Sequence, residues 1–242
     1  MNPENKIVYN SWPVGKLPKE FQRPELDQIK ALGYDWKDPR DVIKMFEEKV
    51  AKFSGSKYAV AIDCCSHGLF LAIKALERKI KPIHKEKIII PSRTYVSVPM
   101  QIVHAGFEVG FEDRKWSGIY QLYPYDIWDG AVRWTKGMYI GGLHVVSFQI
   151  KKRVPIGRGG MILTDSKEDY DYLCRARYDG RNLDVEYMTD NYEYGMGWHY
   201  YMTPEDAARG IILMDQIPEE NEDTGGSNNY SDISQVRSFL HG

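Results

Sequence analysis

Cysteine is scarce. The 242 residues include only Cys64, Cys65 and Cys174. None forms a C-x-x-C pair, and the two adjacent thiols are poorly placed to bridge each other. A disulfide framework and a metal site are therefore not expected, and a reducing, cytoplasmic setting is. Net charge is also nearly absent: 32 Lys and Arg against 34 Asp and Glu leave −2. That balance gives no reason to expect nucleic acid or an anionic membrane as partner. No apolar run approaches the roughly 18 residues of a membrane span, and MNPENKIVYN has no signal-peptide core. No internal repeat stands out.

Aromatic residues are plentiful: 17 tyrosines and 6 tryptophans suggest aromatic surface in a cleft or an interface. Residues 1–38, with Pro3, Pro13, Pro18 and Pro24, read as an N-terminal arm holding one short helix near 24–32. Asp38 and Pro39 open a helix whose Val42, Ile43, Phe46, Val50 and Phe53 share a face, and Gly55 ends it. Tyr58–Ile62 reads as a buried strand, and Ser66 as the cap of the next helix. Strands are expected at 87–91, 107–113, 119–128, 143–148 and 159–164, with helices at 95–105, after Ser166, and from Thr203-Pro204-Glu205-Asp206 to Gln216. This alternation predicts an α/β domain over 39–217, with a mostly parallel central sheet flanked by helices and sites at the carboxyl ends of strands. From 218 to 242 the chain is polar and reads as a linker or loosely docked tail.

Four segments carry chemistry. The turn Asp63-Cys64-Cys65-Ser66-His67-Gly68, between a strand and a helix, is a phosphate cradle or else an ordinary helix cap. Asp129, at a strand end in Tyr-Asp-Ile-Trp-Asp-Gly-Ala, could hold a pyridinium nitrogen protonated. Asp126 is the nearby alternative, and an exposed turn aspartate the plain one. Lys152 follows a buried strand and precedes a glycine-rich turn. Burial and the neighbouring Lys151 and Arg153 would make its amine nucleophilic; otherwise K-K-R is a solvated basic turn. The fourth is Gly197-Trp198-His199-Tyr200-Tyr201-Met202, before the Thr203 helix. Arg158 and Arg181 are cations that could meet a carboxylate or a diphosphate.

In order and spacing these segments resemble the sugar aminotransferases of the DegT or StrS family, which are fold-type I pyridoxal-phosphate enzymes. Phe46-Glu47 through Ala61 is similar to the family's F-E-x-x-F-A-x-x-x-G-x-K-Y-A-V-A. Cys64 through Leu69 resembles its S-G-T-A-A-L turn, and Pro91-Ser92-Arg93-Thr94-Tyr95 its P-x-x-T-aromatic. Trp128-Asp129-Gly130-Ala131 resembles E-D-A-A. Ser147 through Gly160 resembles S-F-H-x-x-K-x-x-x-x-G-E-G-G, the most specific of the matches. Gly197–Met202, Ala207-Ala208 and Gln216 follow a further motif. Gln149, Arg158, His199 and Val132 stand where the family has His, Glu, Asn and Gln. The stretch from Asp113 to Asp129 is shorter than the family's, and its C-terminal small domain is largely missing.

The resemblance implies the large domain of a fold-type I enzyme with pyridoxal 5'-phosphate on Lys152 as a Schiff base. Asp129 would hold the pyridine nitrogen, Tyr95 would stack on the ring, and Ser66, His67, Ser147 and Gln149 would surround the cofactor. His199 would serve the site of a second chain, since such enzymes are homodimers that share their cofactor pockets. Tyr194, Trp198, Tyr200 and Tyr201 would then belong to that interface. The expected activity is transamination of a keto-sugar, nucleotide-linked, from an amino-acid donor. The other reading is a degenerate homologue that binds cofactor or nucleotide without turnover. The related sugar dehydratases share the fold but lack the lysine.

Overall fold

A computed structural model describes residues 17–80, 86–192, 195–236 and 239. The first sixteen residues of the expected arm, and Tyr194, lie outside them. Helix α1 (Glu25–Ala31) precedes α2 (Asp41–Ser54). The apolar stripe of α2 buries Val42, Ile43, Phe46 and Val50 completely or nearly so, and Gly55 ends it in the left-handed region at φ 84°. Then come β1 (Tyr58–Ile62), α3 (Cys65–Glu77), β2 (Ile88–Pro91), α4 (Ser97–His104) and β3 (Val109–Glu112). Short strands β4 (Tyr120–Gln121) and β5 (Ile127–Asp129) are followed by β6 (Leu143–Ser147) and β7 (Gly160–Thr164). Helices α5 (Lys167–Ala176) and α6 (Pro204–Met214) complete the layers, capped as expected by the Ser166 and Thr203 hydroxyls. No helix among the described residues is long and apolar enough to cross a membrane.

The sheet is mixed, and the expectation of a mostly parallel one is corrected. Its order is β1-β7-β6-β5-β4, with β7 antiparallel to both β1 and β6, β4 antiparallel to β5, and β5 parallel to β6. The reason lies in the connections. A parallel pair needs a long crossover, whereas residues 148–159 turn straight back between β6 and β7 without a helix. Where a helix intervenes, as α4 does between β2 and β3, the pair is parallel. The single strand expected over 119–128 is a hairpin, because the chain reverses at Leu122–Ile127 (Leu122 N–H to Ile127 O, 2.9 Å).

Both sheet faces are covered. Val60, Ile62, Leu143, Val145 and Ile162 pack under α3 and α4. Ala59, Ala61, Val146, Met161 and Leu163 pack with α2 and α6 on the other side. The strands therefore read as unbroken apolar runs although their side chains alternate.

The described residues beyond 217 do not form a loose tail. Arg133 pairs with Asp223 at 2.8 Å, Gly118 donates to Gly225 O at 2.9 Å, and Ile233 donates to Ser92 O at 2.9 Å. Ser227 and Phe239 are buried, the latter against Phe111. A composition that cannot make its own core still docks when its few apolar and capping residues find complementary backbone.

Candidate functional site

One cavity of about 660 Å³ opens at the carboxyl ends of β5 and β6, and the N-termini of α3 and α4 point into it. Ser66, Tyr95, Asp129, Ser147, Gln149 and Lys152, drawn from four separate segments, all line it. Three other pockets among the described residues are smaller, about 340, 360 and 410 Å³.

The α3 end begins at Cys64, which has an extended backbone (φ −164°, ψ 158°) and whose Sγ accepts the His67 N–H at 3.5 Å. The expected cap, Ser66, is already helical. Its hydroxyl is therefore spared for the cavity, where it lies 2.7 Å from the Ser97 hydroxyl at the start of α4. Two hydroxyls and two helix starts together are an arrangement that can hold an anion. Gly160 on β7 passes so close that a Cβ there would sit 2.7 Å from the Cys65 nitrogen, and Gly159 holds φ +139°. Those contacts explain the paired glycines after Lys152: a side chain at 160 would push the strand off the helix start.

Asp129 ends β5 and is almost fully buried, 5% exposed. Its Oδ1 accepts the Ala131 N–H at 2.9 Å and its Oδ2 the Tyr120 hydroxyl at 2.7 Å. Burial raises its pKa, opposed by the Tyr120 and Ala131 hydrogen bonds and by the positive charge of Lys152. The alternative, Asp126, sits at the opposite end of β5. It accepts from Trp128 Nε1 at 2.7 Å and lines a different pocket beside Tyr139 and Gly142.

Lys152 stands on the turn that returns β6 to β7. Its N–H donates to Gln149 O at 2.8 Å, and the Gln149 side chain accepts the Lys151 N–H at 2.8 Å. Gln149 thus shapes the turn from which Lys152 extends. Ser147 Oγ accepts the Gln149 N–H at 3.4 Å.

Three of the residues singled out in the sequence, His67, His199 and Arg181, do not line the cavity, whereas Arg158 does. His67 faces away: Nδ1 lies 2.7 Å from Asp63 Oδ1 and the ring stacks on Tyr200 at 3.7 Å. Burial disfavours its charge, but Asp63 and Cys64 outweigh that and raise its pKa to about 9. Arg158 binds the other Asp63 oxygen at 2.6 Å. His199 is exposed and bonded to Asp179 at 2.9 Å, outside this chain's cavity, and Arg181 does not line the cavity either. The sequence reading in turn missed Thr94, Trp116, Tyr120, Asn229 and Tyr230, all at or beside the cavity. Thr94 could have been found from its place in P-x-x-T-aromatic. Tyr230 could not, because its polar surroundings read as tail.

The model of the DegT/DnrJ/EryC1/StrS aminotransferase family matches residues 23–119 and 134–225. The spore coat polysaccharide biosynthesis protein SpsC of Bacillus subtilis is 32% identical over 92 residues, 38% of this chain and 23% of SpsC. The crystal structure of AtS13 from Actinomadura melliaura superposes with TM-score 0.65 at 20% identity, covering 79% of this chain and 64% of AtS13. The sugar aminotransferase CalS13 from Micromonospora echinospora gives 0.64 at 17% identity, with the same coverage of 79% and 64%. The chain thus spans less than two thirds of the length of each.

Proposed function

The chain belongs to the DegT/DnrJ/EryC1/StrS aminotransferase family, and from that premise we propose that it binds pyridoxal 5'-phosphate and aminates a keto-sugar, nucleotide-linked, using an amino-acid donor. The single observation that carries this reading is the meeting of Lys152 and Asp129 in one cavity with Ser66, Ser147 and Tyr95. Asp129 ends β5 and Lys152 follows β6, the parallel neighbour of β5, so strand pairing sets both groups at one end of the sheet.

The residues present fit the cofactor. The volume lies within the roughly 300–1,000 Å³ typical of small-molecule sites. Asp129 has two donors for about four acceptor positions, so acceptor capacity remains toward the cavity. Ser66 and Ser97 at two helix N-termini supply the phosphate end, and Ser147 stands at the same wall. When bound, the cofactor supplies an electron sink for bonds at the donor's α-carbon. Lys152 would hold it covalently and, once displaced by the donor's amine, carry a proton to and from that α-carbon. Asp129 would keep a proton on the ring nitrogen. Lysine at 152 favours transamination over the dehydration run by fold relatives without it.

We take residues 39–217 as the cofactor-binding domain, with the docked C-terminal segment as one wall. His199, exposed and outside its own cavity, would reach the cavity of a second copy, making the working unit a homodimer. Borohydride reduction of the protein loaded with pyridoxal phosphate, followed by peptide mapping, tests the central assignment. The label is expected on Lys152; label on Lys151, or none at saturating cofactor, would overturn it.

A further inference from the structure

Asp129 is not held by its own strand alone. Tyr120 on β4 is directly opposite it in the antiparallel ladder. The Tyr120 hydroxyl donates to Asp129 Oδ2 at 2.7 Å and lies 2.6 Å from Thr94 Oγ1. A phenol has one proton to give. Since that proton goes to the carboxylate, the Thr94 hydroxyl must be the donor in the second bond. The result is a directional string, Thr94 to Tyr120 to Asp129, and all three side chains are buried at 2%, 4% and 5% exposure. Thr94 immediately precedes Tyr95 in the cavity wall. The string therefore ties the aromatic that would lie on the cofactor ring to the carboxylate that would hold its nitrogen.

We propose that Tyr120, itself held by Thr94, is the positioning residue that keeps the Asp129 carboxylate ionised and aimed at the pyridine nitrogen. The inference rests on the cofactor reading above and deepens it. A buried carboxylate with one backbone donor is poorly solvated, and the neutral acid becomes the cheaper form. A second, charge-assisted hydrogen bond from a rigid phenol opposes that preference and fixes which oxygen is spoken for. Oδ1 is committed to the Ala131 N–H and Oδ2 to Tyr120, so the remaining lone pairs define one approach for a ring nitrogen. The other titratable groups whose charge bears on this carboxylate are Cys65 from α3, Lys152 from the β6–β7 turn and Tyr230 from the C-terminal segment. None of these three makes a hydrogen bond to it among those the structure gives.

The test uses the full chain loaded with pyridoxal phosphate. Tyr120→Phe keeps the ring packed on Trp116, 4.7 Å away, and removes only the hydroxyl. Two readouts are independent of turnover: the pyridine nitrogen resonance of 15N-labelled cofactor, and the pH midpoint of the bound cofactor's visible absorbance. With Asp129 neutralised, the nitrogen signal should move from the protonated toward the unprotonated range. The absorbance midpoint should rise by about one pH unit, the worth of one hydrogen bond to a charged group. Thr94→Val should shift both in the same direction by less, and Thr94→Ser should restore them. If Tyr120→Phe fails to fold, the Thr94 pair decides alone. Unchanged nitrogen signal and midpoint in a variant that binds cofactor would overturn the positioning role while leaving the proposed function standing. An unaltered chain that takes up no cofactor would remove both.

Discussion

His144 on β6 is wholly buried, and neither ring nitrogen has a hydrogen-bond partner. It lies directly beneath Gly130, where a Cβ would come within 2.2 Å of Nε2, so the residue after Asp129 is glycine for want of room. Burial, with the Arg133 charge adding to it, lowers the His144 pKa to about 4. In the unfolded chain the ring titrates near 6.5. Between those values the unfolded state binds the extra proton, so stability falls as pH drops from about 6.5 to about 4 and is fully present above. His144→Leu should remove this sensitivity. The stability gap between variant and unaltered chain should grow in the variant's favour by about 3 kcal/mol across that window. Urea unfolding at pH 7, 6, 5 and 4 measures it, and a gap that stays constant would show that the ring is not neutral in the fold.

At the scale of elements, the F-E of the α2 motif has a structural meaning that its place in a family pattern does not convey. Glu47 on α2 accepts the Ala61 N–H at 2.7 Å and pairs with Arg177 at the end of α5, whose Nη1 also donates to Ala61 O at 2.6 Å. Both side chains are buried, and together they clamp β1 between two helices. Removing one partner leaves the other charge stranded, which typically costs about 3–5 kcal/mol. Glu47→Gln is therefore expected to lose that much in denaturant unfolding, and the double change to Glu47→Leu with Arg177→Met should recover only part of it, because the Ala61 N–H and O lose their partners. A single variant within about 0.5 kcal/mol of the parent, the range of an ordinary surface change, would show that β1 needs no clamp. Since β1 feeds the Cys64 turn, the clamp also holds the α3 end of the cavity in place.

For the whole molecule, the C-terminal segment is a working part of the domain. Tyr230 and Asn229 line the cavity, Tyr230 stacks with Trp116 at 5.9 Å, and Arg153 beside the lysine turn donates to Glu222 O at 3.0 Å. On the other flank Tyr95 and Ile150, each 58% exposed, stand at or next to the cavity mouth. Exposed apolar side chains grouped around a site suit a second subunit, and a role for the exposed His199 at a cofactor requires one. Light scattering at micromolar concentration is expected to give twice the monomer mass. A stable monomer that still binds cofactor tightly would rule out the shared site and the role of His199.

Much of this was legible along the chain, because it depends on neighbours in sequence. The α2 stripe and its Gly55 end, the Ser166 and Thr203 caps, and the apolar runs of β1, β6 and β7 are local physics written in local residues. The motifs around Ser66, Asp129 and Lys152 were readable for the same reason, and those residues do share one cavity. Strand direction was not readable, since it depends on whether a connection crosses the sheet or folds straight back. The residues alone left Asp126 open beside Asp129, and the resemblance chose Asp129; Asp126 stands just before the three-residue strand that Asp129 ends. Only the tertiary structure turned His67 toward Asp63, brought Tyr120 and Thr94 onto Asp129, and drew Tyr230 out of a polar tail into the cavity wall. The contacts of Tyr120 with Thr94 and of Tyr230 with the cavity span long sequence separations and are decided by which surfaces remain once the two cores have closed; His67 and Asp63 are four residues apart, and it is the Tyr200 ring stacked on His67 that comes from far along the chain.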